Sequence, residues 1–303
     1  MHFNIKKFEK LYGLSPNFDI NGVSQSSNLK SNTIAFSLKI DEDLIISLKS
    51  LKSIIIFVPL KINLPDECYL DNLIIECINP RYDYIRTSRL VFEFKSFEYS
   101  PNLNYVDPSA KIGNSVILSP HTYIGADCVI EDDCFLSPGV KILDRVKIGK
   151  GTNIGSNTVI GGIGFGIERD NKKEREVISF GGTPLKMPHF GGVIIGKYCD
   201  IGALNTIVAG AIEPTIIENN VMTDDHVHIA HNCKIKKGAA ITACAEISGS
   251  VEIGEESWIG PNASIMQKIS IGPRSIIGLG AVVTRSIESD SIAAGNPAKI
   301  LNK

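Results

Sequence analysis

From Val106 to Val283 an aliphatic residue returns at nearly every sixth position. The series runs Val106, Ile112, Leu118, Ile124, Ile130, Leu136, Ile142, Ile148, Ile154 and Ile160, then Ile195, Ile201 and Ile207, then Ile217 to Val283 with Thr223 alone out of class. An amphipathic helix or an ordinary alternating strand would scatter such side chains over several faces. A six-residue period instead predicts a parallel β-helix, in which each hexad supplies one short strand and one bend. A second register supports this: four residues after each rung stands something small or β-branched, including Ala110, Val116, Thr122, Cys128, Cys134, Val140, Ala239, Ala245, Val251 and Ala263. Both registers are expected to point inward, with Gly, Asn, Asp and Ser at the bends. Three hexads per coil predict roughly eight coils, each advancing by about 4.8 Å.

Upstream of Asn102 the period is absent, so residues 1–101 are expected to form a small α/β domain and residues 102–303 the β-helix. The first part reads as a helix over Lys6–Tyr12, strands near Ile34–Leu38, Ile54–Val58 and Leu73–Ile78, and a helix from Pro80 to about Phe94 capped by Asn79. The ladder breaks twice. A loop of about residues 166–192, preceded by Gly161-Gly162-Ile163-Gly164-Phe165-Gly166 and carrying the charged run Glu168–Glu176, separates Ile160 from Ile195, and a phase shift around Glu213-Pro214 separates Ile207 from Ile217. Insertions in a solenoid gather on one face, often the binding face.

With 31 basic and 33 acidic residues and a net charge of -2, the chain has no polyanion grip, which argues against nucleic acid as a partner. Leu44–Leu60 is apolar but interrupted by Lys49 and Lys52, too short and too charged to span a bilayer, and the start Met1-His2-Phe3-Asn4-Ile5-Lys6-Lys7 has no apolar signal core. A cytoplasmic protein is expected. The seven cysteines include no Cys-x-x-Cys pair, and Cys128, Cys134, Cys199 and Cys233 fall in the small inward register, so they read as reduced core fillers.

Candidate chemistry concentrates in Thr223-Asp224-Asp225-His226-Val227-His228-Ile229-Ala230-His231-Asn232-Cys233. None of these histidines occupies an inward register, so all should project from the prism. One coil after His231 the equivalent position is Gly249, which stacks a base against an uncluttered backbone N–H. That pairing suits acyl transfer from a thioester to an amine: the imidazole accepts the amine's proton and the N–H meets the charge that develops on the carbonyl oxygen. Asp224 or Asp225 is expected to orient His231. Two other readings stay open, a zinc site using His226 and His231 at a trimer interface and a non-catalytic scaffold.

Rungs such as Ile124-Gly125-Ala126-Asp127-Cys128-Val129 resemble those of hexapeptide acyltransferases, a likeness that implies a left-handed β-helix and a homotrimer. Ile229-Ala230-His231-Asn232, the Asp224-Asp225 pair and the Gly164-Phe165-Gly166 turn resemble the UDP-3-O-acylglucosamine N-acyltransferases of lipid A synthesis. The resemblance implies His231 as general base, Gly249 as oxyanion donor and a nucleotide-binding first domain. Phe36 in Ile34-Ala35-Phe36-Ser37-Leu38-Lys39 would then stack on the base, with Lys39, Asn79, Tyr82 and Tyr84 beside it, although Phe36 and Tyr84 read equally as core aromatics. Lys39 and Lys268 depart from the family's Asn and His at those positions. The ending Gly295-Asn296-Pro297-Ala298-Lys299 resembles coenzyme A-dependent acetyltransferases, and the chain stops at Lys303 without the family's helical tail. Lys268, Arg285, Asn296, Pro297 and Lys299 are therefore expected at an acyl-CoA site. The leading expectation is an N-acyltransferase moving an acyl group from acyl-CoA, as co-substrate, to a dTDP- or UDP-linked amino sugar, with no tightly bound cofactor and no metal. The alternative is the lipid A reaction itself, drawing on an acyl carrier protein.

Overall fold

The computed structural model describes residues 2–93, 103–169 and 182–301, and the chain divides into two compact units, Met1–Glu98 and Tyr99–Lys303. Much of the charged run Glu168–Glu176 lies outside the described residues.

The first unit is built on a parallel sheet in the order Gly22–Val23, Thr33–Phe36, Ile54–Pro59, Leu73–Cys77. The run Ile54–Val58 is wholly buried because both sheet faces are covered: Ile54, Ile56 and Val58 pack with Leu44 and Leu48 on one side, Ile55 and Phe57 with Phe8 and Val91 on the other. Three helices, Ile5–Tyr12, Glu42–Ser50 and Pro80–Val91, supply the covers, and the side-chain oxygens of Asn4, Asp41 and Asn79 accept their N-terminal N–H groups. The apolar stretch from Leu44 thus divides into most of one helix and a central strand. The last helix stops at Val91, short of the expected Phe94, because Phe92–Glu93 pairs with His2–Phe3. Among the described residues no helix is long and apolar enough to cross a membrane.

The second unit is a parallel β-helix with three faces, of nine, eight and ten strands. Most strands comprise two residues, and successive coils pair at an interval of one coil, as in Ile124 with Ile142 and Ile142 with Ile160. The longest wholly parallel face has nine rungs, Tyr105–Val106 to Val282–Val283, against the eight coils expected. From Ile124 onward the predicted inward residues are buried, whereas Val106 and Ile112 in the first coil remain partly exposed. The bends adopt left-handed backbone even at residues other than Gly, His226 and Lys268 among them. Thr223, the exception in the ladder, is buried because its Oγ1 accepts from Asn205 Nδ2 at 2.7 Å and Gly202 N at 3.2 Å, while Asn205 Oδ1 accepts from Val227 N at 2.6 Å. Cys128, Cys134, Cys199 and Cys233 lie in the core, where burial raises each thiol above its ordinary value, Cys233 to about 11.

Candidate active site

His228–Ile229 and Glu246–Ile247 are adjacent strands on the nine-stranded face, and their pairing of Ile229 with Ile247 puts the following bends, at His231 and Gly249, directly above one another. A methyl group added at Gly249 would lie 2.7 Å from both Nε2 and Cε1 of His231, so the imidazole edge rests against this glycine. At some equivalent positions the bend N–H is tied down, as Ala126 to Asp144 Oδ1 (3.0 Å), Lys197 to Asn219 Oδ1 (2.7 Å) and Ala203 to Asp225 Oδ1 (2.7 Å). That of Gly249 has no partner among the described residues, while its carbonyl accepts from Lys268 N at 3.0 Å. An unengaged N–H therefore stands one coil above the imidazole.

The tautomer of His231 follows from its neighbour. Asn232 Oδ1 accepts from Ala211 N at 3.1 Å and Asn232 Nδ2 donates to Glu213 O at 2.9 Å, which fixes the amide's orientation. The 3.1 Å contact from His231 Nδ1 to the same Oδ1 is then a bond that Nδ1–H donates, and Nε2 is left with its lone pair on the Gly249 side. Ala211 and Glu213 belong to the second break in the ladder, so the phase shift forms the clamp that holds the histidine.

The first break supplies another wall. His189, buried at 5% exposure, meets the His231 ring edge-on with centroids 5.6 Å apart. Its Nδ1 lies 3.0 Å from the Met187 carbonyl, which only accepts, so the proton sits on Nδ1 there too. Gly164 admits this arrangement: a methyl there would stand 2.7 Å from His189 Nε2. Gly164, Phe165, Thr206, His228, His231, Glu246, Gly249 and Gln267 are among the residues lining one cavity of about 370 Å³.

Among the described residues Asp224 makes no hydrogen bond to His231. It lies on the corner after the ten-stranded face, one face away from His231, and its carboxylate accepts from Asp225 N at 2.8 Å while Asp225 accepts from Ala203 N. The residue that bonds the His231 imidazole is Asn232 and not an Asp, and His189 and Glu246 join the site without having been singled out in the sequence. His226 is exposed on the same corner as Asp224, apart from His231. In the first unit Phe36 and Tyr84 come together, centroids 5.1 Å apart, at a cavity of about 450 Å³ also lined by Ser24, Gln25, Asn28 and Lys30. Lys39 and Tyr82 are exposed and do not line it, and the Asn79 side-chain oxygen is committed to its helix cap. Lys268, Arg285, Asn296, Pro297 and Lys299 are exposed and do not line the His231 cavity.

The hexad core makes the second unit a hexapeptide-repeat β-helix, and it carries an imidazole whose Nε2 is free and an unengaged N–H one coil above it. The family model "Bacterial transferase hexapeptide (six repeats)" matches residues 109–144, 127–162 and 250–285. The chain is similar to the UDP-3-O-acylglucosamine N-acyltransferase of Coxiella burnetii, 35% identical over 65% of this chain and 62% of that protein. It is similar also to that of Herminiimonas arsenicoxydans, 32% identical over 55% of this chain and 45% of that protein. The chain thus spans less than two thirds of the length of the curated relatives it matches. Among solved structures it resembles LpxA, a UDP-N-acetylglucosamine acyltransferase of Bacteroides fragilis (27% identity, TM-score 0.57, 67% of this chain and 73% of that one), and the UDP-N-acetylglucosamine acyltransferase of Francisella novicida (25% identity, TM-score 0.58, 66% and 68%). The shared architecture is the left-handed parallel β-helix.

These relatives overturn the leading expectation of transfer from acyl-CoA to a dTDP- or UDP-linked amino sugar; they bear the name of the alternative, the UDP-3-O-acylglucosamine reaction. The Asn296–Lys299 ending that had suggested coenzyme A has a structural task of its own. It turns the chain from strand Ile292–Ala294 into the antiparallel strand Lys299–Ile300 that closes the last coil.

Proposed function

We propose that this chain transfers an acyl group to the amino group of a UDP-linked 3-O-acylated glucosamine, drawing it from the thioester of an acyl carrier protein. The observation that supports this best is the hydrogen-bond pattern at His231: Nδ1 is engaged with Asn232 Oδ1, which leaves Nε2 free against Gly249 to act as the base. In the reaction the amine nitrogen adds to the thioester carbonyl, the C–N bond forms and the C–S bond breaks. The proton lost by the nitrogen passes to His231 Nε2 and from there to the departing thiolate. The Gly249 N–H receives the charge on the carbonyl oxygen, and Asn232 acts as a positioning residue.

On this reading the first unit holds the nucleotide, with the Phe36–Tyr84 pair beside the base and Lys30 near its phosphates. The exposed cations Lys268, Arg285 and Lys299 are offered to the phosphate of the carrier's prosthetic arm. A homotrimer and a cytoplasmic setting complete the proposal. The test is thiol release and product mass from UDP-3-O-acylglucosamine and an acylated carrier protein. His231→Ala is expected to lose about 100-fold in turnover. Silence from the unaltered chain, or an undiminished His231→Ala, refutes the reading.

A further inference from the structure

Thr206, His228 and Glu246 form one vertical column on the nine-stranded face, paired in register across three coils, with their sequence neighbours Ile207, Ile229 and Ile247 turned into the core. All three line the cavity that contains His231 and Gly249, and Glu246 is the one carboxylate among its lining residues. Ser248 Oγ lies 3.1 and 3.0 Å from the two carboxylate oxygens and donates its proton to them, fixing the group's direction. Among the described residues Glu246 has no Lys or Arg within ion-pair distance, and the His228 ring has no hydrogen-bond partner. The remaining wall is largely apolar, with Ile163, Phe165 and Val208. A half-buried carboxylate with unused acceptor capacity beside a general base has one obvious complement in an N-acylation, the acceptor's amine in its ammonium form.

We propose that Glu246 determines acceptor specificity: its carboxylate, aimed by Ser248, receives the amino group, and His228 beside it takes an adjoining sugar hydroxyl. The inference rests on the reading above that the acceptor is an amino sugar. An ammonium gives Glu246 charge-assisted hydrogen bonds that a hydroxyl at the same place does not match. The ammonium sheds one proton to solvent before attack, and the second passes to His231.

Calorimetry on the full chain without donor compares UDP-glucosamine with UDP-glucose, which differ at the same carbon by amine against hydroxyl. The unaltered protein is expected to prefer the amine by about 10- to 100-fold. Glu246→Gln should abolish the preference at an unchanged melting temperature, and Glu246→Asp should restore part of it. In turnover, Glu246→Gln should raise the acceptor KM and leave the donor KM alone. A preference that survives Glu246→Gln, or no preference in the unaltered chain, overturns the proposal. If the preference and its loss are seen but UDP-3-O-acylglucosamine is not acylated, the proposed function fails and this inference stands; the reverse pattern sinks this inference alone.

Discussion

Gly249→Ala separates the two tasks of the Gly249 bend. The added methyl would stand 2.7 Å from Nε2 and Cε1 of His231, whereas carbon makes ordinary contact at about 3.5 Å. The imidazole must therefore retreat by about 0.8 Å, and it is tethered: Nδ1 is bound to Asn232 and the ring meets His189 edge-on. A displacement of about 1 Å at a reacting group costs about 100-fold in rate, and the methyl also crowds the N–H assigned to the oxyanion. Gly249 does not use the left-handed backbone that penalises a side chain. Alanine there is expected to leave stability within about 1 kcal/mol, since the reduced freedom of the unfolded chain offsets the local crowding. Single-turnover acyl transfer, read beside a thermal melt, is the assay. A Gly249→Ala protein that turns over within a few-fold of the original refutes the stacked base-and-donor arrangement; one that melts far below it shows that the glycine serves folding instead.

Three further outcomes follow from the clamp and the core. Asn232→Ala strands the Ala211 N–H and the Glu213 carbonyl and releases His231 Nδ1; it should lose about 1–3 kcal/mol of stability by denaturant unfolding together with at least tenfold in kcat, and an unaffected kcat would return the orienting role to Asp224 or Asp225. Native thiol labelling should be fast at the exposed Cys244 and slow at the buried Cys128, Cys134, Cys199 and Cys233, and rapid reaction at any of these four counts against the inward register. Because burial raises the Cys233 thiol to about 11, its folded state favours the protonated form. That stabilisation is full below the unfolded thiol value of about 8.5 and fades as pH climbs through the folded one, so the melting temperature should fall with alkalinity in that window.

The vertical logic of the second unit was readable because its cause is local. Each coil repeats three hexads, so a residue's neighbour along the axis lies one coil away in sequence, and Gly249 above His231 is arithmetic on that period. The same arithmetic places Glu246 above His228. The central strand of the first unit was equally plain, since Ile54–Val58 is apolar throughout as a strand covered on both faces must be. The helix Glu42–Ser50 was not, because only half of its surface is covered and its apolar residues merged with those of the following strand.

Horizontal relations around the prism obey no such rule. Asp224 precedes His231 by a few residues, but the strand His228–Ile229 between them leaves it on another corner, while Asn232, the adjacent residue, turns back to the imidazole. His189 reaches His231 from an insertion whose length breaks the period, so no spacing connects them. The sequence by itself determined the β-helix, its buried registers and the stacking of a histidine on a glycine, because a solenoid ties each of these to separations of six and eighteen residues. Only the tertiary structure decided which group holds His231, which of its nitrogens carries the proton and which carboxylate shares its cavity. Those depend on where two irregular insertions fold back against a regular frame, and contacts made through irregular backbone leave no period to read.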